Sequence, residues 1–188
     1  MTVHRMQRPL LTIALLLFLL ALPPCSGISP LSPTDTLSDL VYSYNHHNFA
    51  NAKSIYKSCL HPSYTFHFRD EDVGTTVGDY DIPETWTRSK DTVATGRLFD
   101  NVQSITLNIP MVDTGLGSPS GESYLVEDVD VDLKVQVNPN TSYHAAGRVD
   151  IEFRQDEDGN WLIYQLWDDT DDGGQSWGWI KVKFYTSF

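Results

Sequence analysis

The stretch from Tyr143 to Asp168, YHAAGRVDIEFRQDEDGNWLIYQLWD, restricts the fold more than any other part of the chain. Val149, Ile151 and Phe153 alternate with Arg148, Asp150, Glu152 and Arg154, the period of a strand with one buried and one wet face. A slip of one residue would bury its charges, so the strand has one register. Asp156 to Asn160 supplies turn chemistry, and Trp161 to Trp167 returns as a second strand rich in large apolar side chains. A lone hairpin is barely stable in water, so other elements must cover it.

Upstream, Tyr124 to Val137 places Val129, Val131, Leu133, Val135 and Val137 on one face and Asp128, Asp130, Asp132, Lys134 and Gln136 on the other. Asn138-Pro139-Asn140 turns this strand into the hairpin, which predicts an antiparallel meander of three long strands. Earlier in the chain, Leu37, Leu40, Val41 and Tyr44 mark a helix capped by Ser32 or Thr34. A second short helix carries Ala52, Ile55, Tyr56 and Cys59 and ends before Pro62. Tyr64, Phe66 and Phe68 then alternate with Thr65 and His67 as an aromatic strand. Asp70 to Pro83 reads as a loop, Thr87 to about Asn101 as a third helix, and Ser104 to Ile109 as a strand stopped by Pro110. Thr114 to Glu122 is a loop long enough for a lid or for plain disorder, with disorder carrying more weight. After Asp168, an acidic, glycine-bearing segment leads to Ile180, Val182 and Phe184 alternating with Lys181, Lys183 and Tyr185, which predicts a final short strand or an apolar tail.

The N-terminus has a different character. Arg5 and Arg8 precede an apolar run, Leu10 to Leu22, and Pro23, Pro24, Cys25, Ser26 and Gly27 follow it. This is the layout of an export signal over residues 1–27, and the run is short of the roughly 20 residues a bilayer span needs. Lipidation of Cys25 is a minority expectation, because prolines replace the small residues that normally precede a lipidated cysteine. Membrane attachment would then come only from an uncleaved signal or from that cysteine. Residues 28–33 form a Pro/Ser linker, and residues 34–188 are read as one α+β domain. Losing Arg5 and Arg8 takes the formal charge from −12 to −14, which argues against nucleic acid as a partner. With Cys25 removed or modified, Cys59 is the remaining thiol and reads as a small buried hydrophobe.

The order of helix hairpin, aromatic strand, third helix and long antiparallel strands resembles the nuclear-transport-factor-2-like superfamily, which includes polyketide cyclases and ketosteroid isomerases. The likeness is carried by NHHNFANAKSIYKSCLHPSYTFHF and DGNWLIYQLWDD and spans roughly Thr34 to Asp168. It implies helices wrapped by a strongly curved antiparallel sheet as a cone, often with an internal cavity and often dimerising through the sheet. It implies no common catalytic motif, and fold alone does not give function.

Within that frame, Tyr64, Phe66, Phe68, Trp86 and Trp167 are the candidates for lining an apolar ligand site, beside Tyr44, Tyr56 and Phe99. Asp168 and His61 are the catalytic candidates, with His67, Asp70 and Gln165 near them, since burial would raise a carboxyl pKa towards use as a base. For each of these the plainer role, core filling or strand-end hydrogen bonding, carries more weight. Asp128, Asp130, Asp132, Asp150 and Glu152 form an acidic strip whose neighbours on one strand lie about 7 Å apart, without a calcium loop. With Lys134, Arg148 and Arg154 among them, they read as a salt-laced outer face. Adjacent His46 and His47 point to different sides of a helix, so no metal site is expected. Nucleotide, serine-hydrolase and redox-cofactor fingerprints are missing, so no cofactor is expected. Asn140-Thr141-Ser142 is a glycosylation sequon.

The leading expectation is an exported, noncatalytic domain that binds a small apolar ligand or a protein partner through a cone cavity or sheet face. A cofactor-free isomerase, dehydratase or cyclase using a cavity Asp with Tyr or His is the enzymatic alternative. A dimerisation module with a filled cone, joined through the sheet, is the structural one.

Overall fold

A computed structural model describes residues 31–117, 119–172 and 174–187. The export signal and Cys25 lie outside the described residues. Helix α1 (Pro33–Asn45) starts at a capping box: Ser32 Oγ accepts from the Asp35 N–H, and Asp35 accepts from the Ser32 N–H at 2.9 Å. Its Leu37, Leu40 and Tyr44 are buried. Helix α2 (Ala52–Ser58) follows, then strand β1 (Leu60–His67). The segment read as a loop contains a small hairpin, β2 (Thr76–Val77) and β3 (Tyr80–Asp81), closed by Gly78 at φ +63°. Strand β4 (Thr85–Thr87) runs directly into helix α3 (Arg88–Asp100).

Strand β5 (Ser104–Asn108), a single turn α4 (Met111–Thr114), and the long strands β6 (Ser123–Asn138), β7 (Thr141–Gln155) and β8 (Trp161–Asp172) complete the sheet. The loop after α4 is fastened where the Leu116 N–H donates to Thr34 Oγ1 at 2.9 Å and Leu116 packs against the core. The six strands lie in the order β4-β1-β8-β7-β6-β5. The predicted meander is present, with Val149 opposite Val129 and Ile151 opposite Leu166. One pairing departs from the antiparallel expectation: β1 runs parallel to β8, with Phe66 beside Leu166. A parallel neighbour needs a long crossover, and everything from β2 to β7 supplies it.

The chain's end departs further from its alternating pattern. Trp177–Ser187 is a helix, α5, not a strand or tail. Trp177, Ile180, Lys181 and Phe184 recur at helical spacing and all four are buried. Helices α1, α3 and α5 cover the inner face of the curled sheet, and the buried side chains of all the layers form one cluster.

Candidate functional site

Four of the five ligand-lining candidates meet inside the cone. Tyr64 and Phe66 point inward from β1, Phe68 follows them, and Trp86 sits opposite Phe66 on β4. Phe66 and Phe68 meet edge to face with centroids 5.0 Å apart, as do Phe68 and Trp86. These rings pack against the chain's own helix. A Cβ built on Gly178 of α5 would stand 2.6 Å from Phe68 Cδ1 and 3.0 Å from Phe66 Cε1, so α5 approaches to a distance that only glycine allows. Trp177 fills the neighbouring space and donates through Nε1 to Tyr44 Oη at 3.1 Å.

Below this wall lies a polar cluster. Lys181 Nζ is 2.6 Å from Asp91 Oδ2, and the two side chains are 1 % and 0 % exposed. Asp91 sits in the first turn of α3, where the helix dipole favours a carboxylate. Tyr56 Oη donates to Asp91 Oδ1, and Lys181 Nζ donates to Tyr56 Oη at 3.2 Å. The ammonium also stands 4.3 Å from the Phe66 ring centroid. Burial and the Asp91 charge push the phenols of Tyr44, Tyr56 and Tyr64 well above their ordinary pKa. They are held as neutral hydroxyls, unable to act as bases near neutrality.

Asp168 is buried on the inner face, as a cavity base would be, but its oxygens are committed. Oδ1 accepts from the Thr170 N–H at 3.1 Å and the Thr170 hydroxyl at 2.6 Å, and Oδ2 accepts from the Gly178 N–H at 2.6 Å. Thr170 Oγ1 in turn accepts from the Trp177 N–H at 2.8 Å. Burial raises the Asp168 pKa against the pull of these donors. Ser176 completes the cap: its Oγ accepts from the Trp179 N–H at 2.9 Å and donates to Asp72, which pairs with Arg69 at 2.9 Å. Asp168 therefore anchors the N-terminus of α5, satisfying N–H groups that helix geometry leaves unpaired.

His61 does not join it. It lies on the outer face, edge-on to Tyr164 at 5.4 Å, and its Nδ1 accepts from the Ser63 N–H. Burial, with the charges of Arg154 and Arg88, lowers its pKa. Trp167 is also separated from the other ring candidates. It pairs across from His67 and Asp150 on the outer face, stacked on His67 at 4.8 Å. His67 Nε2 lies 2.8 Å from Gln165 Oε1, and Asp70 is exposed in the following loop. Phe68 and Trp167 border an open depression of about 390 Å³ at the sheet rim.

Three members of the acidic strip are ion-paired on the outer face, Asp128 with Arg148 at 3.0 Å, Asp132 with Lys134 at 2.7 Å and Glu152 with Arg154 at 2.9 Å. Among the described residues, no group of three His, Cys, Asp or Glu side chains is arranged to hold a metal, and no helix is long and apolar enough to cross a membrane. Cys59 is a buried free thiol whose pKa burial pushes up.

An inner face of helices on a curled six-stranded sheet defines the fold class, that of the nuclear-transport-factor-2-like proteins. Solved structures share it: a superfamily member from Salmonella enterica serovar Typhimurium is 12 % identical over 76 % of this chain and 90 % of its own, with a TM-score of 0.51. A protein from Kribbella flavida is 13 % identical over 79 % and 93 %, with a TM-score of 0.52. A conserved protein from Planctomyces limnophilus is 10 % identical over 70 % and 88 %, with a TM-score of 0.51. No protein-family model and no curated protein matches the chain. At such identities the likeness establishes the fold, and the chemistry must come from this chain's own residues.

The sequence reasoning missed Lys181, Asp91 and Gly178. The available signal was the i, i+3, i+4, i+7 spacing of Trp177, Ile180, Lys181 and Phe184 behind Ser176, a good N-cap residue.

Proposed function

We propose that this chain is an exported, noncatalytic interaction domain that engages a protein partner through the outer face of its sheet. The observation that supports this reading is the filling of the cone by α5, with Gly178 pressed against Phe66 and Phe68 and with Asp168 engaged in holding that helix. An apolar ligand would have to displace the chain's own helix. A cavity base would need a carboxylate oxygen free to reach substrate, and those of Asp168 are taken.

The outer face, by contrast, keeps aromatic and guanidinium groups within reach of solvent. Arg154 lies 3.6 Å over the Tyr164 ring, Trp167 is half-buried, and Leu125 is 49 % exposed. Trp, Tyr and Arg are the residue types that carry most binding energy at protein interfaces. The same face holds both signs of charge, Asp150 and Glu152 beside Arg148 and Arg154. A twofold contact requires such self-complementarity, so the partner proposed is a second copy of the chain.

Sedimentation velocity of the purified protein, alone and with Leu125→Asp combined with Trp167→Ala, tests this. A concentration-dependent dimer lost in the variant, with near-UV circular dichroism unchanged, supports it. A monomer at every concentration overturns the second copy as partner. Export rests on Arg5, Arg8 and Leu10 to Leu22. The mass of the mature chain checks it, since a chain that keeps Leu10 to Leu22 overturns cleavage and a lipid-sized increment on Cys25 selects the anchored form.

A further inference from the structure

Beside the N-terminus of α3, the surface opens into a depression of about 510 Å³ bordered by β1 and β4 residues. The chain is acidic, and several of its cations face carboxylates: Lys53 meets Asp100, Lys134 meets Asp132, Arg148 meets Asp128 and Arg154 meets Glu152. The lining here carries Lys57 and Arg88 and no carboxylate, and neither cation is in an ion pair among the described residues.

The cationic group is held in place. Arg88 Nη2 donates to the Lys57 carbonyl at 2.7 Å, which ties the guanidinium to the end of α2. Its Nε is shut off from solvent and has no acceptor. Tyr64, only 2 % exposed, contributes its ring to the same lining, while its hydroxyl lies on the inner side near Asp91 and is not part of the depression. Buried donors without acceptors are rare enough in folded proteins to call for an explanation. Around them Ser63, Thr65 and Ser89 present hydroxyls with no hydrogen bond inside the protein. Thr87, the N-cap of α3, makes no side-chain capping bond, so the first-turn N–H groups lack the acceptor a cap would supply. The depression therefore combines two cations and several hydroxyl groups with no carboxylate.

We propose that this depression binds a small oxyanion, a phosphate or sulfate group, with Arg88 and Lys57 supplying charge-assisted hydrogen bonds and the hydroxyls and first turn of α3 completing the shell. A tetrahedral oxyanion offers acceptors only, and a cradle of donors with two unpaired cations matches it. Arg suits this task because its planar fork can bind two oxyanion oxygens at once. The site lies at the β1–β4 edge, apart from Tyr164, Trp167 and Leu125, and does not depend on the sheet-face reading.

The test is a titration of the full, isotope-labelled chain with inorganic phosphate, followed by amide shifts, against sodium chloride of matched ionic strength. Saturable shifts centred on Thr65, Arg88, Ser89 and Lys90 are expected. Arg88→Gln and Lys57→Gln should each weaken the apparent affinity roughly tenfold or more, the effect of losing one charge-assisted contact. Lys57 is exposed, so its variant keeps the fold and the readout stands even if Arg88→Gln does not. Shifts no larger than those of chloride, or shifts unaltered in Lys57→Gln, overturn the site. Repeating the titration with glycerol phosphate and with phosphatidylglycerol vesicles separates the sources. Tighter response to vesicles assigns a lipid headgroup, and equal or tighter response to the free ester assigns a soluble phosphate.

Discussion

Lys181 and Arg154 make the same three-part arrangement in two different media. Each cation pairs with one carboxylate, Asp91 at 2.6 Å and Glu152 at 2.9 Å, and each stands over an aromatic ring, Phe66 at 4.3 Å and Tyr164 at 3.6 Å. The first set is sealed inside the cone. In the second, Arg154 is 42 % exposed on the sheet's outer face. Buried, a pair gains little net stability over an apolar replacement, yet losing one member strands a charge in a poor solvent. On the outer face, with Arg154 42 % exposed, the pair is partly screened and the arginine can be lost at small cost. The interior set therefore specifies where α5 docks, while the outer set leaves its groups available to a partner.

The sharpest way to break this comparison is to remove one cation from each side. Lys181→Met should lower unfolding stability by about 3–5 kcal/mol in urea denaturation, because Asp91 is left unpaired among Tyr56, Phe66 and Trp177. The double variant Lys181→Met, Asp91→Leu should recover much of that loss. If the double variant is as unstable as the sum of the singles, the pair is not what fixes α5. Next in size is Gly178→Ala, whose Cβ would meet Phe68 and Phe66 at 2.6 and 3.0 Å. Overpacking of this kind costs about 1–3 kcal/mol, and an unchanged urea midpoint would mean that α5 packs less closely than described.

Much of the outer, strand-built half was legible in the sequence. Val129 to Val137 and Val149 to Phe153 alternate strictly, so the side chains facing in, such as Val149, Ile151 and Phe153, could be assigned without knowing what covered them. The cone's contents were not legible, because a short apolar run suits two periods. Ile180, Val182 and Phe184 fit a strand, while Trp177, Ile180, Lys181 and Phe184 fit a helix, and a lysine among them looked like the wet face. Its buried partner, Asp91, lies ninety residues away on α3, beyond any local pattern. Trp167 was grouped with the inner rings by residue type. The bulge between the Glu152–Gln165 and Phe153–Ile163 pairs gives β8 an extra residue, Tyr164, so Leu166 and Asp168 face inward and Trp167 outward. Asp168 was read chiefly as a strand-end hydrogen-bonding group, and the helix it caps was not foreseen.

On the outer side the matching removal should be mild. Arg154→Met should cost about 0.2–1 kcal/mol, the range of exposed pairs, and a loss as large as that of Lys181→Met would erase the distinction between the two media.

The finest test is the dependence of stability on pH, where the two regions carry opposite signs. Burial pushes the Glu152 carboxyl up, but hydrogen bonds from Ser123, Arg154 and Gln165 together bring it below its usual pKa. Its contribution is present above the unfolded value of about 4.3 and is lost as pH falls through the depressed native value. For Asp168, burial raises the native pKa. Its contribution is present below the unfolded value of about 3.9 and is lost as pH rises through the raised native one. Glu152→Gln should therefore lose less stability than the unmodified chain between about pH 5 and pH 2, and Asp168→Asn should gain stability more steeply above about pH 4. Only the slopes are compared, since Asp168→Asn also weakens the cap of α5. Parallel slopes for the unmodified chain and both variants would show that neither carboxyl changes its proton affinity on folding, and the electrostatic contrast between the two faces would then reduce to packing alone.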